Sequence, residues 1–229
     1  MKPAQLSFEF GFRPGLEGGD FLVAPCNAEA VAWLESGRRW PAPALVLHGP
    51  AGCGKSHLAR LWSRREGGGV VPAADLTVTA VPDMAGAALV VDGADSVAGD
   101  AERERALFHL YNLIAERCGR LLLVAREPVA GWGVVLPDLA SRLRAAPAAG
   151  IGAPDDSVLA ALLVKLLADR QMPPPAEVVA FLVPRMERSF EAGRHLAEAL
   201  DRASLAGHRP ITLPLAREVL AGLGLGSGA

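Results

Sequence analysis

One stretch of the chain, GPAGCGKS at residues 49–56, combines residue types that suit phosphate binding. It matches the pattern G-x-x-x-x-G-K-[ST], in which glycines let backbone N–H groups turn towards a phosphate and the lysine neutralises its oxygens. The serine hydroxyl of this pattern is a Mg²⁺ ligand. A chance glycine-rich loop is the alternative, but an apolar run before the motif and a helical pattern after it provide the required context. The residues predicted to contact a bound nucleotide are Gly49, Gly52, Gly54, Lys55, Ser56 and His57.

An acidic partner for the metal is predicted at the end of the apolar run ALVVD, which ends at Asp92. A carboxylate at the tip of a buried strand is suited to hold Mg²⁺ next to the phosphates. We therefore predict that Ser56 and Asp92 bind the metal and that Asp92 belongs to the nucleotide site. Gly93 follows, where active nucleotide hydrolases of this type usually have a second acid, and Asp95 is either its substitute or a solvated loop residue. Nucleotide binding is thus supported, whereas intrinsic ATP hydrolysis is expected to be weak or absent.

The elements that would position these residues alternate between strands and helices up to about residue 153. Strand patterns occur at residues 44–48, 87–92, 120–125 and 150–153. Such alternation predicts a mainly parallel sheet with helices on both faces, an α/β fold. Only helical patterns follow the last strand. We predict an α/β P-loop nucleotide-binding domain over residues 20–153 and a small all-helical domain over residues 154–229.

Composition limits the classes of function. The chain has 229 residues and a formal net charge of −2 without a long basic run, so we expect no direct sequence-specific DNA binding. Three cysteines without C-x-x-C spacing fit a reducing compartment better than a disulfide framework or a zinc site. The sequence has neither a signal-peptide pattern nor an apolar run of membrane-spanning length, and we expect a cytoplasmic protein without membrane contact.

Several motifs together resemble the AAA+ proteins of the DnaA family, and within it the Hda type of DnaA regulatory inactivator. Beside the phosphate motif, the resemblance is carried by FLVAPCNAEAV (21–31), LPDLASRL (136–143) and LDRASLAGHRPITLPLAREVL (200–220). It implies an AAA+ P-loop domain with a helical lid, DnaA as a partner, and Asn27 near the adenine. It also implies that Arg142 is an arginine finger, which reaches the γ-phosphate of ATP on a neighbouring subunit, with Arg144 as the alternative.

Three positions depart from the family pattern. Gly93 is one of them. Arg126 stands where the family has an aspartate in its sensor 1 motif, and Glu191 stands where it has the sensor 2 arginine. Arg188 and Arg194, each about one helical turn away, are the candidates to replace that arginine. These departures weaken the case for ATP turnover by this chain and leave both ADP and ATP open as ligands.

The stretch QLSFEF near the N-terminus resembles the short peptide with which Hda-type proteins bind the replication sliding clamp, the β subunit of DNA polymerase III. The glycine-rich residues 11–19 are then predicted to be a flexible tether, so that residues 1–19 form a clamp-binding segment. The alternative is a strand on the protein's own sheet, because large apolar residues alternate along the stretch. The implied clamp contacts are Gln5, Leu6, Ser7, Phe8 and Phe10.

The resemblance as a whole implies a nucleotide-bound regulator of chromosomal replication initiation. Together with the clamp, such a protein promotes hydrolysis of the ATP bound to DnaA and so inactivates the initiator. Two alternatives stay open: a self-sufficient AAA+ ATPase that acts as a remodelling or helicase-loading factor, and a module that recruits DnaA without stimulating hydrolysis. Self-association into a homo-oligomer is compatible with all three interpretations.

Overall fold

A computed structural model describes residues 21–36, 40–84 and 86–224, so the predicted clamp peptide lies outside the described residues. The strands are β1 (Ala44–His48), β2 (Gly69–Pro72), β3 (Ala88–Asp92), β4 (Arg120–Ala125) and β5 (Ala148–Gly150). The helices are α1 (Ala28–Glu35), α2 (Lys55–Arg65), α3 (Val81–Met84), α4 (Ala101–Glu116), α5 (Pro137–Ala145), α6 (Asp156–Ala168), α7 (Ala176–Leu182), α8 (Phe190–Gly207) and α9 (Leu213–Gly222).

The strands form one parallel sheet in the order β2-β3-β4-β1-β5. Side chains alternate along β1: Val46 belongs to an apolar core shared with α4, whereas Leu47 belongs to a core shared with α2 on the other face. Because the central strands are buried on both faces, their sequences read as continuous apolar runs. The predicted α/β class, a parallel sheet flanked by helices and followed by a helical lid, is confirmed.

The edges of the sheet differ from the prediction. β2 was not predicted, because its four residues are mostly exposed and provide no buried apolar run. The predicted last strand at 150–153 is displaced, since the observed β5 overlaps it only at Gly150. β5 reads Ala-Ala-Gly, residue types of low strand propensity, and its pairing with β1 rather than its own sequence makes it a strand.

Helices α6 to α9 pack around a separate apolar core. The Asp155 carboxylate accepts a hydrogen bond from the Val158 N–H at 2.9 Å, and the Ser189 hydroxyl accepts one from the Ala192 N–H at 3.0 Å. Side-chain caps of this kind start α6 and α8. None of the helices in the described residues combines the length and apolar character that crossing a membrane requires.

Candidate nucleotide-binding site

The phosphate loop connects the end of β1 to the start of α2. Gly49 follows β1 directly and has a φ of +152°, and a Cβ at this position would lie 2.1 Å from the Ile151 carbonyl oxygen. Any side chain here would therefore displace the backbone that follows β5. The close approach of two backbone segments explains why the loop begins with glycine. The 11-residue helix α2 then presents its N-terminus, with its partial positive charge, to the loop.

Lys55 is held inside the loop. Its side chain is buried, and its Nζ donates hydrogen bonds to the carbonyl oxygens of Gly49 and Pro50, both at 2.6 Å. The Cys53 sulfur lies 3.6 Å from the same nitrogen. A buried ammonium group with backbone carbonyls as its only oxygen partners among the described residues is fixed at the place where the motif requires a positive charge.

Ser56 and Asp92, predicted as a metal-binding pair, are brought together by the sheet. The Ser56 Oγ donates a hydrogen bond to the Asp92 Oδ1 at 3.3 Å, although 36 positions separate the two residues. Within the described residues no group of three or more His, Cys, Asp or Glu side chains could hold a metal. A hydroxyl and a carboxylate fit Mg²⁺, which takes its other ligands from phosphates and water.

A cavity of about 510 Å³ opens beside this pair. Arg126, at the end of β4, is exposed and lines the cavity, and its backbone N–H donates to the Asp95 carboxylate at 2.9 Å. The Asp95 carboxylate therefore has a backbone partner in the turn after β4 and is more than a solvated loop residue. The residues that line the cavity are Ala51, Gly52, Lys55, Ser56, Asp92, Gly93, Asp95, Ser96, Val124, Ala125 and Arg126.

Gly93, which stands where a second acid is expected, adopts a left-handed backbone with a φ of +74°. A Cβ at this position would have space, since the nearest atom outside its neighbours is the Ser96 Oγ at 4.0 Å. The constraint is thus conformational rather than steric, because residues other than glycine pay an energetic cost in the left-handed region. The local backbone favours glycine over a second acid.

The lid lies directly against the phosphate loop. The Glu191 N–H, in the first turn of α8, donates to the Gly52 carbonyl at 3.3 Å. A second cavity, of about 350 Å³, lies between α2 and α8 and is lined by residues of the loop and by His57, Arg60, Glu191, Arg194, His195 and Glu198. Glu191, which stands where the family pattern has the sensor 2 arginine, thus lies beside the loop.

The two candidate replacements for the sensor 2 arginine have different environments. Arg188 is exposed and pairs with Asp156 at 3.1 Å. Arg194 lines the cavity beside the phosphate loop, and burial lowers its pKa, against the opposing effect of the carboxylates of Glu191 and Glu198. Of the two, only Arg194 lines that cavity.

The side chain of Asn27 is hydrogen-bonded to the backbone of the segment before α1. This residue is almost completely buried, its Oδ1 accepts from the Ala24 N–H at 2.9 Å, and its Nδ2 donates to the Leu22 carbonyl at 3.0 Å. Its amide is thus used to shape the loop. Phe21, which the sequence did not single out, stacks on the His57 ring with centroids 5.9 Å apart. The only sequence signal for Phe21 was its place at the start of the FLVAPCN motif.

Arg142 lies away from both cavities. It is in the second half of α5, and its guanidinium carbon lies 5.1 Å from the ring centroid of Phe108 and 5.2 Å from that of Tyr111, both on α4. No hydrogen bond or ion pair of this guanidinium occurs with the described residues. The two rings hold the group, and its N–H donors stay available to another molecule. Arg144 is exposed.

A parallel sheet in this order, with the phosphate loop after β1 and a helical lid, is an AAA+-type P-loop fold. The chain is similar to domain III of DnaA from Thermotoga maritima, with 17% identity and a TM-score of 0.77, over 92% of this chain and 98% of that one. It is also similar to AMPPCP-bound DnaA from Aquifex aeolicus (17% identity, TM-score 0.69, 84% and 66% covered). A third similar structure is the RuvB Holliday junction branch migration motor of Thermotoga maritima (13% identity, TM-score 0.64, 86% and 66% covered).

At these identities the structures show the fold alone, and a family model adds a match over the lid. Residues 155–220, which contain α6 to α9 apart from the last residues of α9, match the family model described as the Hda lid domain. The lid thus matches the Hda lid domain, and the chain as a whole has a fold similar to that of DnaA domain III.

Proposed function

We propose that this protein is a nucleotide-bound regulator of replication initiation that promotes hydrolysis of the ATP bound to DnaA. The observation that supports it best is the place of Arg142. Its guanidinium is held on the rings of α4 and lines neither cavity beside the chain's own phosphate loop. An arginine finger at this position would therefore act on the nucleotide of a neighbouring subunit.

The chain's own nucleotide is proposed to be ADP or ATP with Mg²⁺. The DnaA of Aquifex aeolicus was solved with the ATP analogue AMPPCP, which favours an adenine nucleotide for a protein of the same fold. Lys55 and the loop amides would bind the phosphates, and Ser56 and Asp92 would hold the metal. Because Gly93 has a left-handed backbone in place of a second acid, the site favours retention of the nucleotide over turnover.

The proposed step in trans is electrostatic. As the bond to the γ-phosphate of DnaA-bound ATP breaks, negative charge spreads over the phosphate oxygens, and the Arg142 guanidinium stabilises that charge with its N–H donors. Fingers of this kind accelerate hydrolysis by roughly 10³–10⁵ in other nucleotide hydrolases. The sliding clamp, bound through Gln5, Leu6, Ser7, Phe8 and Phe10, would bring the protein close to DNA-bound initiator.

The test is an assay of DnaA–ATP hydrolysis with DNA-loaded clamp, run with the parent chain, Arg142→Ala and Arg144→Ala. We expect the parent and Arg144→Ala to stimulate hydrolysis and Arg142→Ala to lose stimulation while it still binds its own nucleotide. Loss in Arg144→Ala alone would move the finger to that residue. Full inactivation of the initiator by both variants would favour a recruiting module without a finger.

The intact pair of Ser56 and Asp92 also favours a second candidate, an ATPase that works without DnaA. This candidate predicts steady ATP turnover by the purified chain alone, and Asp92→Asn would abolish it. Absence of turnover under conditions in which the nucleotide binds would rule this candidate out.

A further inference from the structure

Glu104, in the first turn of α4, is a buried carboxylate whose hydrogen-bond partners among the described residues are backbone N–H groups. It is 1% exposed, and its oxygens accept hydrogen bonds from three N–H groups: Gly99 at 2.8 Å, Val135 at 3.0 and 3.1 Å, and Leu136 at 2.7 Å. Buried carboxylates are rare because removing the charge from water is costly unless hydrogen bonds compensate. The donors here come from two loops, one before α4 and one before α5.

The carboxylate binds the backbone immediately before α5. Leu136 is the N-cap residue of α5, and its side chain makes no capping hydrogen bond. Two successive N–H groups at the entry to the helix, those of Val135 and Leu136, donate hydrogen bonds to Glu104. A negative charge at the N-terminus of a helix also interacts favourably with the helix dipole. Glu104 thus fixes the backbone at the entry to α5 through the N–H groups of the N-cap residue and of the residue before it.

The same face of α4 carries the rings beneath Arg142. Glu104, Phe108 and Tyr111 are spaced four and three residues apart, so their side chains project from one side of the helix. Glu104 holds the start of α5, and the rings of Phe108 and Tyr111 contact the guanidinium from its second half. Helix α4 therefore contacts α5 at its start and again in its second half.

From this arrangement we infer that Glu104 is a positioning residue: it sets the orientation of α5 and thereby the direction in which Arg142 reaches a neighbouring subunit's nucleotide. The inference rests on the proposed function of Arg142. Neither Glu104 nor the three residues that donate to it line the cavities beside the phosphate loop. Loss of the carboxylate should therefore affect the trans activity and leave the chain's own nucleotide in place.

The experiment compares the full-length parent with Glu104→Gln, Glu104→Asp and the control Glu102→Gln, an exposed glutamate in the same turn of α4. Stimulated DnaA–ATP hydrolysis is measured as a function of protein concentration, to separate the maximal rate from the half-saturating concentration. Affinity for Mg²⁺–ADP and hydrogen exchange of the Val135 and Leu136 amides are measured in parallel. The exchange readout reports on the contact without depending on DnaA.

For Glu104→Gln we expect faster exchange of the two amides and a maximal rate lower by on the order of 10–10²-fold, since small misplacements of a catalytic group cost this much. The half-saturating concentration and the affinity for ADP should stay close to those of the parent. Glu104→Asp, which keeps the charge on a shorter side chain, should recover part of the rate. Glu102→Gln should match the parent in every readout.

The outcomes separate the two proposals. A parent chain that does not stimulate DnaA overturns the proposed function and this inference with it. In a second outcome the parent stimulates hydrolysis, and Glu104→Gln has faster amide exchange but an unchanged maximal rate. This result overturns the role of Glu104 and leaves the proposed function in place. If Glu104→Gln does not fold, Glu104→Asp decides: exchange loosened at both amides with a full maximal rate refutes the inference, and loosened exchange with a reduced rate supports it.

Discussion

The phosphate loop and helix α5 hold their key cations in different ways. Lys55 is buried, and its ammonium is hydrogen-bonded to two carbonyls of its own loop, next to the Ser56 and Asp92 pair. Arg142 is only half-buried, and its guanidinium contacts the faces of two aromatic rings without a hydrogen bond among the described residues. One cation is committed to a site within the chain, and the other keeps its donors free.

In the proposed function, this difference separates binding of the chain's own nucleotide from stimulation of a partner. The loop residues are adjacent in sequence, and carbonyls of the loop itself hold the Lys55 ammonium. The α5 region depends on contacts from α4, because neither the start of α5 nor its arginine is held by local residues. Changes to the loop should therefore affect the chain's own nucleotide, and changes around α5 should affect a partner's.

The largest effect is expected from Lys55→Ala. The variant removes a charge that would make several charge-assisted hydrogen bonds to phosphate, so the affinity for Mg²⁺–ADP should fall by about 10²-fold or more. Titration calorimetry measures the loss. The matched control is Lys165→Ala, because Lys165 lies on the lid and pairs with Asp169 at 2.7 Å. Equal affinities of parent and Lys55→Ala would contradict the assignment of the loop as a phosphate site.

A smaller effect is expected from Gly93→Glu, which restores an acid after Asp92. The left-handed φ of +74° should make the variant less stable by about 1–2 kcal/mol without starting ATP turnover. Urea unfolding and a steady-state ATPase assay measure the two quantities. Gly133→Glu is the control, since a Cβ there meets nothing within 4 Å and its φ lies outside the left-handed region. A Gly93→Glu variant with full stability and rapid turnover would show that the loop adapts to the acid.

The parts of the site that could be predicted from the sequence are those encoded by neighbouring residues. The loop with its flanking strand and helix is one continuous pattern, and Asp92 ends an apolar run. Parallel strands then place these residues at one edge of the sheet, which is why Ser56 and Asp92 meet. The lid helices were predictable for the same reason, because each has its own cap or proline start and its own apolar spacing.

What the sequence could not reveal depends on contacts between distant residues. Two of the three partners of Glu104 lie 31 and 32 positions later, so no local pattern distinguishes it from the exposed Glu102. The environments of Arg188 and Arg194 differ because the lid packs on Gly52, a contact between two parts of the fold. β5 is likewise a strand through its neighbour rather than through its residue types. Periodicity and motif spacing carry none of this information.

The smallest effect is expected from pH, through Glu104. Burial alone would raise the pKa of its carboxyl and the nearby Asp100 also raises it, but the N–H donors of Val135, Leu136 and Gly99 outweigh both and bring the pKa below its ordinary value of 4.5. A carboxylate whose pKa is lower in the folded state than in the unfolded state stabilises the fold above the unfolded pKa and loses that contribution as the pH falls through the folded pKa.

The difference in unfolding free energy between the parent and Glu104→Gln should therefore be constant from pH 7 down to about pH 5 and shrink below pH 4.5. Urea unfolding of both proteins across this range measures the difference. The exposed Glu102→Gln, compared with the parent in the same way, should give a small difference with little dependence on pH. A difference for Glu104→Gln that stays constant down to pH 3.5 would mean that the carboxylate does not hold the start of α5 as an anion. Helix α5 would then not be positioned by a distant carboxylate, and in this respect it would not differ from the phosphate loop.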